Sequence, residues 1–64
     1  LNVENQSEIF YFVAAAYSLI NDSDKALLYL EKAINGGMPK ESPENDSEFD
    51  NIRNLQAYKN LIDK

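Results

Sequence analysis

The chain is 64 residues long, carries six basic against eleven acidic side chains for a net charge of −5, and contains neither Cys nor His. That length allows one domain, and the missing Cys and His exclude a disulfide framework and the usual zinc ligands. The Lys residues are scattered and Arg53 is the only Arg, which excludes the clustered cations that a phosphate backbone requires, so stability rests on packing and nucleic acid is not an expected partner.

In chain order, the first apolar run follows Asn5, whose side chain can accept the backbone N–H of Glu8 while Glu8 reaches back. This capping box predicts a helix from Asn5 to about Ile20. The stretch Ile9 to Ile20, with Ser18 as its one polar member, is twelve residues long, short of the roughly 20 that cross a hydrocarbon core. No basic residue precedes it and no cleavage site follows, so it reads as neither a membrane span nor a signal peptide. Asn21-Asp22-Ser23-Asp24 is a cluster of turn formers and caps. A second helix is expected from Asp22 or Ser23 to Asn35, ended by a left-handed residue in Gly36-Gly37 and by Pro39.

These two helices carry complementary stripes. Phe10, Val13, Ala14 and Tyr17 fall within roughly a 100° arc of the first, and Ala26, Leu30 and Ala33 share a narrow face of the second, widened by Leu27 and Ile34. Small residues at Ala14 and Ala26 let the backbones approach near the turn, while Phe10, Tyr17 and Leu30 fill the space where the helices diverge.

Residues 40–46 contain Pro43, three acidic residues and no large apolar side chain, and are expected to form a solvated, flexible connector. From Ser47 onward Phe49, Ile52, Leu55, Tyr58, Leu61 and Ile62 return at helical spacing. We expect a short turn over Ser47 to Ile52, a break, and a helix from Leu55 to Asp63 capped by Asn54. The domain organisation is thus a helical hairpin over 1–39, a polar connector over 40–46 and a closing helical segment over 47–64.

The run Phe10-x-x-Val13-Ala14-x-x-Tyr17 followed by Ala26-x-x-x-Leu30-x-x-Ala33 resembles a tetratricopeptide repeat, and residues 7–40 keep that family's spacing without a gap. Phe10 stands where the family often has Trp, Val13 for Leu, Ala14 for Gly and Leu30 for an aromatic residue, and Pro39 lies one position late. The resemblance implies an all-α fold, a repeat-like antiparallel hairpin followed by a third, capping helix, whose function is contact with proteins or peptides. Phe49-Asp50-x-Ile52-Arg53 with Tyr58-x-x-Leu61 is similar to the stretch that closes such arrays in bacterial proteins. With Leu1 in place of an initiator Met, the chain reads as the C-terminal part of a longer protein.

By the same resemblance the partner-binding positions are Glu8, Tyr11, Phe12, Ala15 and Leu19, with Glu8 and Tyr11 exposed. The Lys and Asn with which related domains clamp a terminal carboxylate are replaced by Tyr11 and Ala15. Ile9, Tyr11, Phe12, Ala15, Ala16 and Leu19 lie off the internal stripe and make the first helix apolar nearly all round, the pattern of a helix covered on several sides. The cover is either the closing helix or a preceding repeat, or else the face is a groove for a peptide.

Chemistry has little to work with. Asp46-x-Glu48-x-Asp50 begins like a calcium loop, but Asn51 and Ala57 occupy the positions of the required Gly and bidentate Glu. No nucleophile–base pair, phosphate loop or apolar carboxylate pocket can be assembled, so we expect no enzyme activity, metal or cofactor. Three readings follow: an interaction or scaffolding module; a structural appendage of an enzyme such as a bacterial hydrolase or peptidase; and a self-associating segment whose copies cover each other's first helix. Localisation stays open, with the cytoplasm favoured over secretion.

Overall fold

The computed structural model of the protein describes residues 6–63. They form four helices with no strand among them: α1 (Gln6–Leu19), α2 (Ser23–Asn35), α3 (Glu41–Glu44) and α4 (Gln56–Ile62), with a 3-10 turn at Ser47–Phe49 between the last two. The proposed Asn5 cap lies outside the described residues.

The protein is all-α and its largest interface is the hairpin of α1 on α2. Ala14, Ala26, Leu30 and Ala33 are completely buried in it, as expected where small side chains set the approach of two helices. Phe10 and Tyr17 lie at its margin, partly buried against the same core.

Both helix ends are built the same way. Asn21 adopts a φ of 64°, and the N–H groups of Asn21 and Asp22 donate to the carbonyls of Ser18 (3.1 Å) and Tyr17 (2.9 Å). This is a Schellman closure, with Asn in the left-handed position that Gly usually fills. Asp22 then caps α2 by accepting the Lys25 N–H on its Oδ1 at 3.3 Å. At the far end Gly37 has a φ of 115°. Gly37 donates to Ile34 (3.0 Å) and Met38 to Ala33 (3.0 Å), repeating the motif, and Met38 packs onto the core. Beside it Gly36 lies so close to α1 that a Cβ would sit 3.2 Å from that of Ser7, whose hydroxyl donates to the Gly36 carbonyl at 3.2 Å.

The remainder differs from expectation in two respects. Residues 40–46 are not a bare connector: they hold α3, and Pro43 is fully buried. A Pro in the first helical turn gives up an N–H that has no intrahelical partner there, so it costs the short helix nothing. Arg53 anchors the segment from downstream, its Nη2 donating to the carbonyls of Pro43 (2.6 Å) and Asp46 (2.8 Å). Secondly, Asn54 does not cap α4. The N-cap is Leu55, without a side-chain bond. Apart from that cap, residues 47–63 follow the expected order of a turn, a break and a helix. Asp46 caps the 3-10 turn, turns follow through residue 54, and α4 has seven residues.

Phe49 and Ile52 are completely buried, and Tyr58 and Leu61 nearly so. The closing segment therefore lies across one side of the hairpin and completes its core.

Candidate functional site

Three environments surround α1, and they divide the residues that sequence reasoning grouped as one surface. Toward the closing segment, Tyr11 and Ala15 are buried, 9% and 3% exposed, against the expectation that Tyr11 faces solvent. The Tyr11 ring packs on Phe49 at a centroid distance of 5.1 Å, and its hydroxyl donates to Asp46 Oδ2 at 2.8 Å. Burial raises the pKa of this hydroxyl well above its ordinary value, and the carboxylate beside it adds to the effect. Alongside, Asn51 Nδ2 donates to the Ser18 carbonyl at 2.9 Å.

Toward α2, the margin is a ladder of rings. Tyr29 stands between Phe10 (6.1 Å) and Tyr17 (5.8 Å, 13° between planes). Lys32 lies over Phe10 at 5.8 Å and Lys25 over Tyr17 at 5.5 Å, distances at which a cation is drawn to the ring face.

The third side faces outward. Ile9 is 45% exposed, Phe12 65%, Leu19 55% and Ile20 70%, and Ala16 is exposed among them. At 100° per residue these five share roughly a 100° arc, and at 1.5 Å per residue the stripe runs about 16 Å along the helix. With on the order of 200 Å² for a fully exposed large apolar side chain, the four fractions sum to roughly 450 Å² of contiguous apolar surface, within the size range of patches that carry contacts. Glu8, exposed at the edge of the stripe, is the only charged residue of α1. Phe12 and Leu19 thus share one exposed face with Glu8, joined by Ile9, Ala16 and Ile20, while Tyr11 and Ala15 belong to the core.

The carboxylates that looked like half a calcium loop are engaged elsewhere. Asp46 accepts from Tyr11 on one oxygen and from the Glu48 N–H (3.0 Å) on the other, and Asp50 pairs with Arg53 Nη1. Among the described residues no group of three or more metal-ligating side chains is gathered, and no helix is long and apolar enough to cross a membrane.

Tyr58 mirrors Tyr11. It donates to Glu44 Oε2 at 2.9 Å, and its pKa is pushed up to about 12, first by burial and then by the Glu44 bond, with Arg53 opposing. Both hydroxyls are held as donors. They fasten the closing segment and offer no free group for proton transfer. The roles of Arg53, Asp46 and Asn51 carried no signal in sequence, since each depends on a backbone carbonyl or ring brought from elsewhere in the fold.

Compared with protein-family models, with curated proteins and with solved structures, the chain matches none.

Proposed function

We propose that this chain is a non-catalytic interaction module of the tetratricopeptide kind, in which the outer face of α1 docks an apolar helix supplied by another protein segment. The observation that carries this reading is the exposed stripe of Ile9, Phe12, Ala16, Leu19 and Ile20 on a helix with one charged residue. Burying such side chains is favourable, so four large ones gathered on one face support a contact that covers them. The tetratricopeptide component is supported by the small-residue crossing at Ala14 and Ala26 with Leu30 filling the space between.

The absence of charge on the stripe suits a neutral, apolar partner helix of about three turns. A second copy suits it less well. Two such stripes bury roughly 900 Å² together, below the approximately 1,200 Å² of a standard stable interface. Each copy also brings a net charge of −5, which opposes approach at low salt.

The test is a titration of the isotope-labelled protein with a neutral helical peptide bearing one Leu-rich face, followed by amide shifts, together with sedimentation equilibrium of the protein alone. Shifts confined to Ile9, Phe12, Ala16 and Leu19, lost in Phe12→Asp without loss of helicity, support the reading. A dimer through this face replaces it with self-association, and absent or scattered shifts refute it.

A further inference from the structure

Of the asparagines in the chain, Asn35 alone is followed by Gly. That pair is chemically distinct. With no Cβ on the following residue, a Gly amide nitrogen meets the least steric resistance on approaching the Asn side-chain carbonyl carbon, and the Gly backbone turns most readily into the geometry that joins the two. Asn35 is the last residue of α2, and both it and Gly36 are exposed at the far end of the hairpin.

In the folded hairpin the pair is held out of reaction. The Gly36 N–H, whose nitrogen would be the nucleophile, donates to the carbonyls of Lys32 (3.1 Å) and Ala33 (3.2 Å), so its proton is engaged. The helical backbone of Asn35 also keeps that nitrogen out of the plane of the Cα, Cβ and Cγ atoms with which it would close a five-membered ring. This end is kept shut by Gly37 N–H on the Ile34 carbonyl (3.0 Å), Met38 N–H on the Ala33 carbonyl (3.0 Å) and Ser7 Oγ on the Gly36 carbonyl (3.2 Å). A terminal helical turn held by bonds of this kind is among the first parts of a fold to open.

We infer that Asn35-Gly36 is a self-modifying site, which deamidates through a cyclic imide when the last turn of α2 opens and whose isoaspartate product holds that turn open. On opening, the Gly36 nitrogen gives its proton to water and attacks Asn35 Cγ. The bond from Cγ to the side-chain nitrogen breaks, and that nitrogen takes up a proton and leaves as ammonia. Water then adds to either carbonyl carbon of the ring. Breaking the new Cγ–N bond gives aspartate, and breaking the original peptide bond gives isoaspartate, with the main chain running through Cβ and Cγ. One water replaces one ammonia and nothing is oxidised or reduced. Either product puts a carboxylate at the C-terminal end of α2, where the helix dipole opposes it. Isoaspartate also lengthens the main chain by one carbon between Ile34 and Gly36, and the bonds from Gly37 to Ile34 and from Met38 to Ala33 both span that point. Gly36 is thereby displaced from its close seat on Ser7.

The test incubates the full chain in warm neutral buffer, folded and in concentrated urea, and follows every asparagine by peptide mass mapping, with isoaspartate told from aspartate by fragmentation. In urea Asn35 is expected to convert faster than any other asparagine, and folding to slow it at least about tenfold, a factor set by the free energy of opening the last turn. Ser7→Ala is expected to speed the folded reaction about threefold and Gly37→Ala about fivefold, with circular dichroism checking that both variants are folded and with rates in urea unchanged. Hydrogen exchange at the Gly37 and Met38 amides is expected to be faster in the purified isoaspartate form than in Asn35→Asp, which carries the same charge on an ordinary main chain. Another asparagine converting faster in urea, equal rates folded and unfolded, a folded rate untouched by both variants, a gain in rate that persists in urea, or exchange no faster in the isoaspartate form than in Asn35→Asp each overturn the proposal.

Discussion

Arg53→Met isolates the polar lock of the closing segment, because Met keeps most of the aliphatic stem and loses every donor. The Arg53 Nη2 bonds to Pro43 and Asp46 are charge-assisted, a class contributing about 1.5–3 kcal/mol each when solvent is excluded. Two features lower that figure. Each carbonyl keeps a second donor, Asp46 N–H for Pro43 (3.3 Å) and Phe49 N–H for Asp46 (3.1 Å), so neither is orphaned. The Arg53 side chain is also 29% exposed, so water partly replaces what is lost. We therefore expect Arg53→Met to cost about 2 kcal/mol, a large share of the few kcal/mol available to a domain this small. Asp50→Asn, which removes only the exposed ion pair with Arg53, is expected to cost under about 1 kcal/mol. Urea unfolding followed by far-ultraviolet circular dichroism measures both. A cost for Arg53→Met within about 0.5 kcal/mol of zero, or one matched by Asp50→Asn, would refute the assignment of the lock to the backbone carbonyls.

Alkaline pH gives a second expectation, since the folded pKa of Tyr58 lies near 12 against 10 in its ordinary state. A group whose pKa is raised by folding stabilises fully below its unfolded value, so about 3 kcal/mol is expected to drain away between pH 10 and 12. Tyr11 shifts in the same direction. Tyrosinate absorbance and helicity are expected to change together, and Tyr58→Phe to flatten the decline; ionisation of both hydroxyls in a still-helical protein refutes this. Ala14→Leu and Ala26→Leu are each expected to cost about 1–3 kcal/mol by overpacking the crossing, and unchanged melting temperatures would sink the small-residue crossing. Gly37→Ala places a Cβ on a φ of 115° and is expected to lower stability by about 1 kcal/mol, measured by urea midpoint, with Gly37→Asn milder.

The hairpin was legible because its determinants are local. Asp22 caps three residues ahead, Gly37 can take the left-handed turn unaided, and the spacing of Ala14, Ala26, Leu30 and Ala33 is a property of each helix alone. The closing segment was legible as a turn and a short helix, but the contacts that fasten it were not, because they join residues 7 to 35 apart in the chain. Pro43 with three carboxylates looks solvated until Arg53 supplies donors. Tyr11 looks exposed until Phe49 and Asp46 arrive over it. The site was legible by half for the same reason: periodicity assigns residues to faces of α1 but does not say which face the tail covers.

The ring ladder and the two buried hydroxyls divide the four tyrosines evenly. Tyr17 and Tyr29 report on the seam between α1 and α2, whereas Tyr11 and Tyr58 report on the fastening of the closing segment. The protein contains no Trp, so its intrinsic fluorescence comes from these two pairs alone. Seam contacts join neighbouring helices, while Tyr11 reaches Asp46 only across 35 residues of chain, a closure that is entropically slower to form. Hairpin contacts are therefore expected to form ahead of the Tyr11–Asp46 contact, and replacing one tyrosine pair with Phe leaves the other to report on its own contact.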